Sequence, residues 1–344
     1  MIVSKNFNDS KKSIYNWLII GCLLIILMIV IGGITRITQS GLSMVKWEPI
    51  VGAIPPLNET DWQKSFDLYK KSPEFNFYNS HFTLSDYKKI FFWEYLHRLV
   101  ARLIGLIFLI PFLFFWVKKY FSSKLKKQLL FILLLGFIQG LAGWLMVESG
   151  LSKNPHVSHY RLAIHLILAL ILLIYIYWVA LSIKYDREEE EKSRLLKPIL
   201  ILFSLVLVQI VYGAFVAGLK AGKMYNTFPK LNNEWIPKDF DIIYNRDGLI
   251  SLVNSPGIVQ FIHRIIGITI LVFAITIIFK IRNKLVKQAK LIYILFFLIF
   301  VQVILGIITL LYAVPLSLGV LHQVLAFLIV LCFIRLLYSF KELL

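Results

Sequence analysis

The chain alternates long apolar runs with short charged connectors. Eight runs can be drawn, at 15–37, 91–117, 128–148, 159–183, 196–218, 258–279, 289–312 and 316–338. A helix rises about 1.5 Å per residue, so runs of about 20 residues cross the hydrocarbon core of a bilayer. The predicted fold class is an all-α integral membrane protein with eight transmembrane helices. The first run is too long for the apolar region of a signal peptide and lacks a convincing cleavage site, so it is expected to remain as a helix. Two polar stretches, 39–90 and 219–257, are rich in Trp, Pro, Asn, Tyr and Gly. They are expected to form ordered caps on one membrane face, with short amphipathic helices within 59–71 and 83–90.

The pattern repeats within the chain. "EYLHR" (94–98) returns as "QFIHR" (260–264), and "LGFIQGLAGWL" (135–145) returns as "FLIFVQVILGII" (297–308), pairing Gln139 with Gln302 and Gly143 with Gly306. "HYRLAIHLILAL" (159–170) corresponds to "LSLGVLHQVLAF" (316–327), and "GGITRITQSGLS" (32–43) has a looser echo in "YGAFVAGLKAG" (212–222). Each repeat carries four spans. An even number leaves both halves in the same orientation, related by an axis along the membrane normal. The expected architecture is two pseudo-symmetric four-helix bundles, an N-terminal half at 1–190 and a C-terminal half at 191–344.

Composition agrees with the pattern. The chain is 58% hydrophobic, with mean hydropathy +0.75, whereas soluble domains are about 45–50% apolar. The net charge of +18 does not point to nucleic acid, because the basic residues sit between apolar runs. The connectors 118–127, 184–197 and 280–290 carry five Lys or Arg each, against one in 149–158 and none in 312–315. The positive-inside rule then predicts a multi-pass membrane protein, surrounded by lipid, with both termini cytoplasmic. The acidic run 188–191 counts little in that rule. Cys22 and Cys332 both lie inside apolar runs, so no loop disulfide is expected.

The polar exceptions carry the chemistry. Of seven histidines, His81, His156 and His159 fall in outer segments. His97, His165, His263 and His322 each lie about two turns into an even-numbered span, at one expected depth below the outer face. Single intramembrane histidines often bond between helices, but ionisable groups in spans are functional candidates by default. Zinc wants a compact four-ligand set, which pairs divided between two repeats do not supply. Two histidines on neighbouring helices suit the axial positions of a haem iron. Pairing His97 with His165 and His263 with His322 gives two haem sites. Arg98 and Arg264 follow their histidines directly, and Arg36, Arg102 and Arg161 lie near the same level. They are candidates for haem propionates, with snorkelling to the interface as the plainer alternative. Glu94 shares a helix face with His97, whereas its counterpart Gln260 cannot ionise. The first half is therefore expected to be the reactive one, with Glu94 handling protons or a cationic intermediate. A structural acid paired with Arg98 or Arg102 is the other reading.

The chain resembles the haem A synthases of the mitochondrial and alphaproteobacterial type over nearly its whole length. The resemblance rests on "GGITRITQSGLSMVKWEPIVGAIPP" (32–56), "PEFNFYN" (73–79), "FWEYLHR" (92–98), "QGLAGWLMVESGL" (139–151), "SHYRLAIHL" (158–166), "GAFVAGLKAGKMYNTFP" (213–229), "QFIHR" (260–264) and "VQVILGIITLLYAVPLSLGVLHQ" (301–323). It implies a haem b cofactor on His263 and His322, and substrate haem O at His97 and His165 with Glu94 as essential acid. The implied reaction oxidises the C8 methyl of haem O to a formyl group, giving haem A for cytochrome c oxidase assembly. Relatives of another type carry a cysteine pair in the outer loops, which this chain lacks. Expected partners are haem O synthase, an electron donor and, as a further assembly, a second copy of the chain. Two other functions compete: a dihaem b-type electron carrier, which needs no Glu94, and a secondary transporter, which would place its polar residues at the midplane.

Overall fold

A computed structural model of the chain describes residues 2–45, 52, 54–151, 155–185, 195–282 and 288–340, with side chains from 10 onward in the first helix. The helices are α1 (Ile2–Ile37), α2 (Glu59–Tyr69), α3 (Leu84–Val117), α4 (Ser123–Leu151), α5 (His159–Lys184), α6 (Leu196–Gly218), α7 (Phe240–Asp247), α8 (Ser251–Asn254), α9 (Pro256–Ile281), α10 (Ala289–Leu311) and α11 (Leu316–Tyr338). Among the described residues there is no β-strand, only a bridge between Leu231 and Glu234. Eight helices are long and apolar enough to span a membrane: α1, from Ser10 onward, α3, α4, α5, α6, α9, α10 and α11. The protein is an all-α, multi-pass membrane protein. Of the expected features, the outer residues 46–51 and 53 and the acidic run 188–191 lie outside the described residues.

One of the two short helices expected in the first cap is present, as α2. The other, at 83–90, is not a separate element: α3 starts at Leu84 and runs unbroken to Val117. Thr83 starts it with a capping box, its side chain accepting from the Asp86 N–H while the Asp86 carboxylate accepts from the Thr83 N–H. The apolar run begins only at Phe91, so hydropathy placed the helix start two turns late. His97 accordingly lies more than three turns along α3, while His165 and His322 lie about two turns into α5 and α11. The extra turns of α3 are clad by α2. Phe66, Tyr69, Tyr87 and Phe91 form a buried aromatic core there. Tyr87 stacks on Tyr69 at 5.0 Å and on Phe66 at 5.2 Å. Burial, with Glu74 alongside, pushes the Tyr69 phenol up, and its hydroxyl donates to Glu74 at 3.1 Å.

Pro111 lies inside α3. Its missing N–H would leave the Ile107 carbonyl without its helical donor. Trp17 on α1 supplies one, with its indole N–H 3.1 Å from that oxygen. A freed backbone group inside a membrane must find such a partner.

The chain forms two compact units, Met1–Leu172 and Leu173–Leu344. The boundary between these units falls inside α5. Leu173, Ile176, Val179, Ala180 and Leu181, beyond the boundary, are all buried. Nearby, Trp178 meets Tyr338 edge-on at 5.0 Å, and Tyr338 donates to the Tyr185 carbonyl at 3.3 Å. In the C-terminal unit, α6 packs along α9, α9 along α10, α10 along α11, and α11 returns to α6. In the N-terminal unit, α1 packs along α3 for much of its length, and α3 meets α4 over a shorter stretch.

Candidate functional site

Each of the four intramembrane histidines stands against a glycine of a neighbouring helix. A Cβ added at Gly32 on α1 would lie 3.3 Å from His97 Nε2, and one at Gly213 on α6 would lie 3.3 Å from His263 Cε1. The second pair is tighter: Gly143 on α4 and Gly306 on α10 would each put a Cβ 2.8 Å from Cε1 of His165 and His322. No real side chain tolerates 2.8 Å, so glycine is required where the imidazoles press on these backbones. Only the Gly143–Gly306 match was visible in the sequence repeat, and nothing there said what the glycines face.

His263 and His322 stand with ring centroids 6.5 Å apart and planes at 74°. Two metal–imidazole bonds of about 2 Å, with about 1 Å from each nitrogen to its ring centre, span about 6 Å. The separation therefore fits two axial ligands of one iron. The Nδ1 atoms of His165, His263 and His322 are buried and have no hydrogen-bond partner. Gln209 donates to the His263 carbonyl at 2.9 Å and Gln302 to the His322 carbonyl at 3.0 Å, fixing both helices beside the rings. Among the described residues no three His, Cys, Asp or Glu converge as a metal cluster. A haem iron needs only the two axial ligands, because the porphyrin fills the other positions.

Glu94 is 3% exposed, and its carboxylate is fully engaged. Oε1 accepts from Arg98 at 2.6 Å. Oε2 accepts from the Ser43 hydroxyl at 2.7 Å and from the Met44 N–H at 2.8 Å. All three partners are donors, the set an ionised carboxylate takes. Arg98 also donates to the Met44 carbonyl at 3.1 Å. The pair thus joins α3 to the loop after α1.

The second unit repeats the frame without the acid. Arg264 donates to the carbonyls of Tyr225 at 2.6 Å, Thr227 at 2.9 Å and Lys230 at 3.3 Å. Gln260 donates to the Tyr225 carbonyl at 3.2 Å. Tyr225 therefore takes the place of Met44. The backbone carries this register continuously. Two residues past the end of α1 and of α6 stand Gln39 and Lys220, both left-handed at φ 53° and 54°. The bond from the Ser43 N–H to the Ser40 carbonyl is matched by Met224 to Ala221. Gly32 then matches Gly213, and Ser43 matches Met224, which has no hydroxyl.

Arg98 and Arg264, two of the five guanidinium groups that the sequence offered to propionates, are thus bonded to loop carbonyls. Arg161 donates to the Leu145 carbonyl at 2.5 Å, tying α5 to α4. Arg36 lies in the last turn of α1, and Arg102 lies one turn beyond Arg98 on α3. His156 bonds Tyr78, both in segments between spans, at 2.9 Å.

Residues 15–334 match the family of cytochrome oxidase assembly proteins, COX15-CtaA. The chain belongs to the COX15-CtaA family. Proteins named "Heme A synthase" are similar to it end to end. That of Flavobacterium johnsoniae is 41% identical, covering 92% of this chain and 94% of the relative. That of the Wolbachia of Culex pipiens is 41% identical, covering 92% and 95%. That of Ehrlichia ruminantium is 40% identical, covering 99% and 97%.

Proposed function

We propose that the protein is a haem A synthase, an oxidoreductase that converts the C8 methyl group of haem O to the formyl group of haem A. The observation that carries this reading is the repeated glycine–histidine frame with an engaged carboxylate in one copy alone. The N-terminal half (1–190) takes haem O, with His97 and His165 as ligands. The C-terminal half (191–344) holds haem b on His263 and His322, where the closed packing of α6, α9, α10 and α11 suits a resident group. Bound there, haem b supplies one-electron transfer. Arg98 and Arg264 hold the caps over the two sites, with propionates as further candidates for their charge.

The reaction takes the methyl carbon through the alcohol to the aldehyde level by two hydroxylations, with dioxygen as oxidant and two electrons and two protons from the electron donor for each; one water leaves per hydroxylation and the geminal diol loses a third to give the formyl group. Positive charge developing beside the macrocycle meets a fixed anion at Glu94. Of the two roles open to that acid, electrostatic stabilisation suits its three donors better than proton transfer. Arg98, Ser43 and the Met44 N–H hold the carboxylate so that it does not reorient during the reaction. The protein sits in the bacterial inner membrane with both termini cytoplasmic. It works between haem O synthase, which supplies its substrate, and cytochrome c oxidase assembly, which consumes its product, and it draws on an electron donor.

The test expresses the protein with a source of haem O and extracts the membrane haems. Haem A or a hydroxylated haem is expected. Two bound b-type haems with no oxidised product would instead leave a dihaem electron carrier.

A further inference from the structure

The donor side of the Glu94 cluster extends beyond Arg98. Ser43 gives its hydroxyl to Glu94 Oε2 at 2.7 Å and is itself fully buried. Its backbone is held from behind: the Tyr87 hydroxyl donates to the Ser43 carbonyl at 3.4 Å and pairs with the Ser65 hydroxyl at 2.6 Å. Tyr87 is 1% exposed and lies in the aromatic core between α2 and α3. A chain of contacts therefore runs from α2 through Ser65 and Tyr87 to the Ser43 backbone, and from the Ser43 side chain to Glu94.

This chain belongs to one half. Ser43 matches Met224 by backbone register, and by the "EYLHR"–"QFIHR" match Tyr87 corresponds to Val253. The Arg98-to-Met44 link, by contrast, has its counterpart in Arg264 and Tyr225. The frame common to both halves is what a haem site and its cap need. What the first half adds is a carboxylate, a hydroxyl aimed at it and a buried phenol behind that hydroxyl.

We propose that Ser43 is a positioning residue for the reaction, with Tyr87 as its support: it fixes the free rotation of the Glu94 carboxylate by occupying the oxygen that Arg98 does not. Arg98 alone holds Oε1 and would leave the plane of the carboxylate able to turn. The hydroxyl and the Met44 N–H together fix Oε2. Ser43 acts through Glu94, so the inference rests on the reading of Glu94 given above.

The test measures initial rates of haem O conversion in membranes carrying Ser43→Ala, Ser43→Thr, Tyr87→Phe and Glu94→Gln. The b-type haem spectrum of the same membranes serves as the control for folding. Ser43→Ala is expected to lower the rate at saturating haem O by about tenfold or more, since small misplacements of a reacting group are costly. The haem O concentration for half-maximal rate and the b-type spectrum should hold. Ser43→Thr, which keeps the hydroxyl, should restore most of the rate. Tyr87→Phe should lower it about threefold, the loss of a weaker bond one step removed. A wild-type rate for Ser43→Ala beside an inactive Glu94→Gln overturns this inference and leaves the proposed function standing. Equal losses in Ser43→Ala and Ser43→Thr overturn it too, because the hydroxyl would then not be the cause. If Ser43→Ala does not accumulate, an unchanged rate in Tyr87→Phe overturns it. Full conversion by Glu94→Gln overturns the reading of Glu94 itself.

Discussion

The two halves of this protein share a frame and differ in what it holds. In both, a glycine on the first helix and another on the third stand against histidines of the second and fourth. In both, the arginine after the first histidine grips the loop after the first helix, at Met44 or at Tyr225. The C-terminal unit closes its helices into a ring and backs its histidine helices with Gln209 and Gln302. The N-terminal unit is looser between α3 and α4. Gly136 and Gly140 on α4 have open space where a Cβ would go. Their counterparts on α10 are Ile299, which is buried, and Val303. On the function proposed above, the closed bundle with neutral partners would hold the resident group, and the more open one, with a charged group beside it, the exchanged substrate.

That contrast can be broken most severely at the ligands. His263→Ala should remove the b-type haem spectrum of the C-terminal half and abolish haem A formation. A wild-type b-type spectrum in that variant would end the assignment of the closed half to the cofactor.

Next in size is the acid. Glu94→Gln should cut conversion by about 10²–10³-fold, the usual loss when a fixed group opposing transition-state charge is removed, while the b-type haem stays bound. The reciprocal Gln260→Glu should create no second oxidising site. Oxidation surviving Glu94→Gln would show that the carboxylate serves the loop alone.

The glycines sharpen the comparison further. Gly306→Ala and Gly143→Ala introduce the same 2.8 Å clash, and overpacking of this kind costs about 1–3 kcal/mol. The first should shift the b-type spectrum and lower the melting temperature of the haem-bound protein. The second should slow conversion with that spectrum intact. Identical spectral effects from both would erase the distinction between the halves.

The smallest effects lie in the first cap. Asp67 is exposed, and hydrogen bonds from Lys70 and Gln63 hold its carboxyl below the usual range. A depressed folded value contributes stability above the unfolded value, near 4, and loses it as pH falls through the folded one. Asp67→Asn should therefore lower the thermal midpoint slightly at pH 7, and the difference should shrink as the pH falls below the unfolded value.

The spans were legible because a bilayer demands about 20 apolar residues in a row. All eight appear within about five residues of where hydropathy placed them, except that α1 starts at Ile2, well before its apolar run, and α3 starts two turns early. There the signal was the cap at Thr83 and Asp86 and the aromatic spacing of Tyr87 and Phe91, which hydropathy does not weigh. The histidines and the Glu94–Gln260 difference were legible because ionisable residues inside apolar runs are rare. Ser43 and Tyr87 were not, since a serine and a tyrosine in a polar cap resemble every other polar residue there. Gly32 and Gly213 were hidden for another reason: the repeat is weak in that region, and only backbone geometry fixes its register.

By itself the sequence determined the eight spans, the four histidines in two matched pairs and the acid that one repeat has and the other lacks. These are properties of residue type and spacing, and a membrane enforces them locally. The tertiary structure alone decided which carboxylate oxygen meets which donor, that the arginines grip the caps, and that a missing Cβ makes room for each imidazole. Those outcomes depend on distances between segments far apart in the chain, which no local pattern encodes.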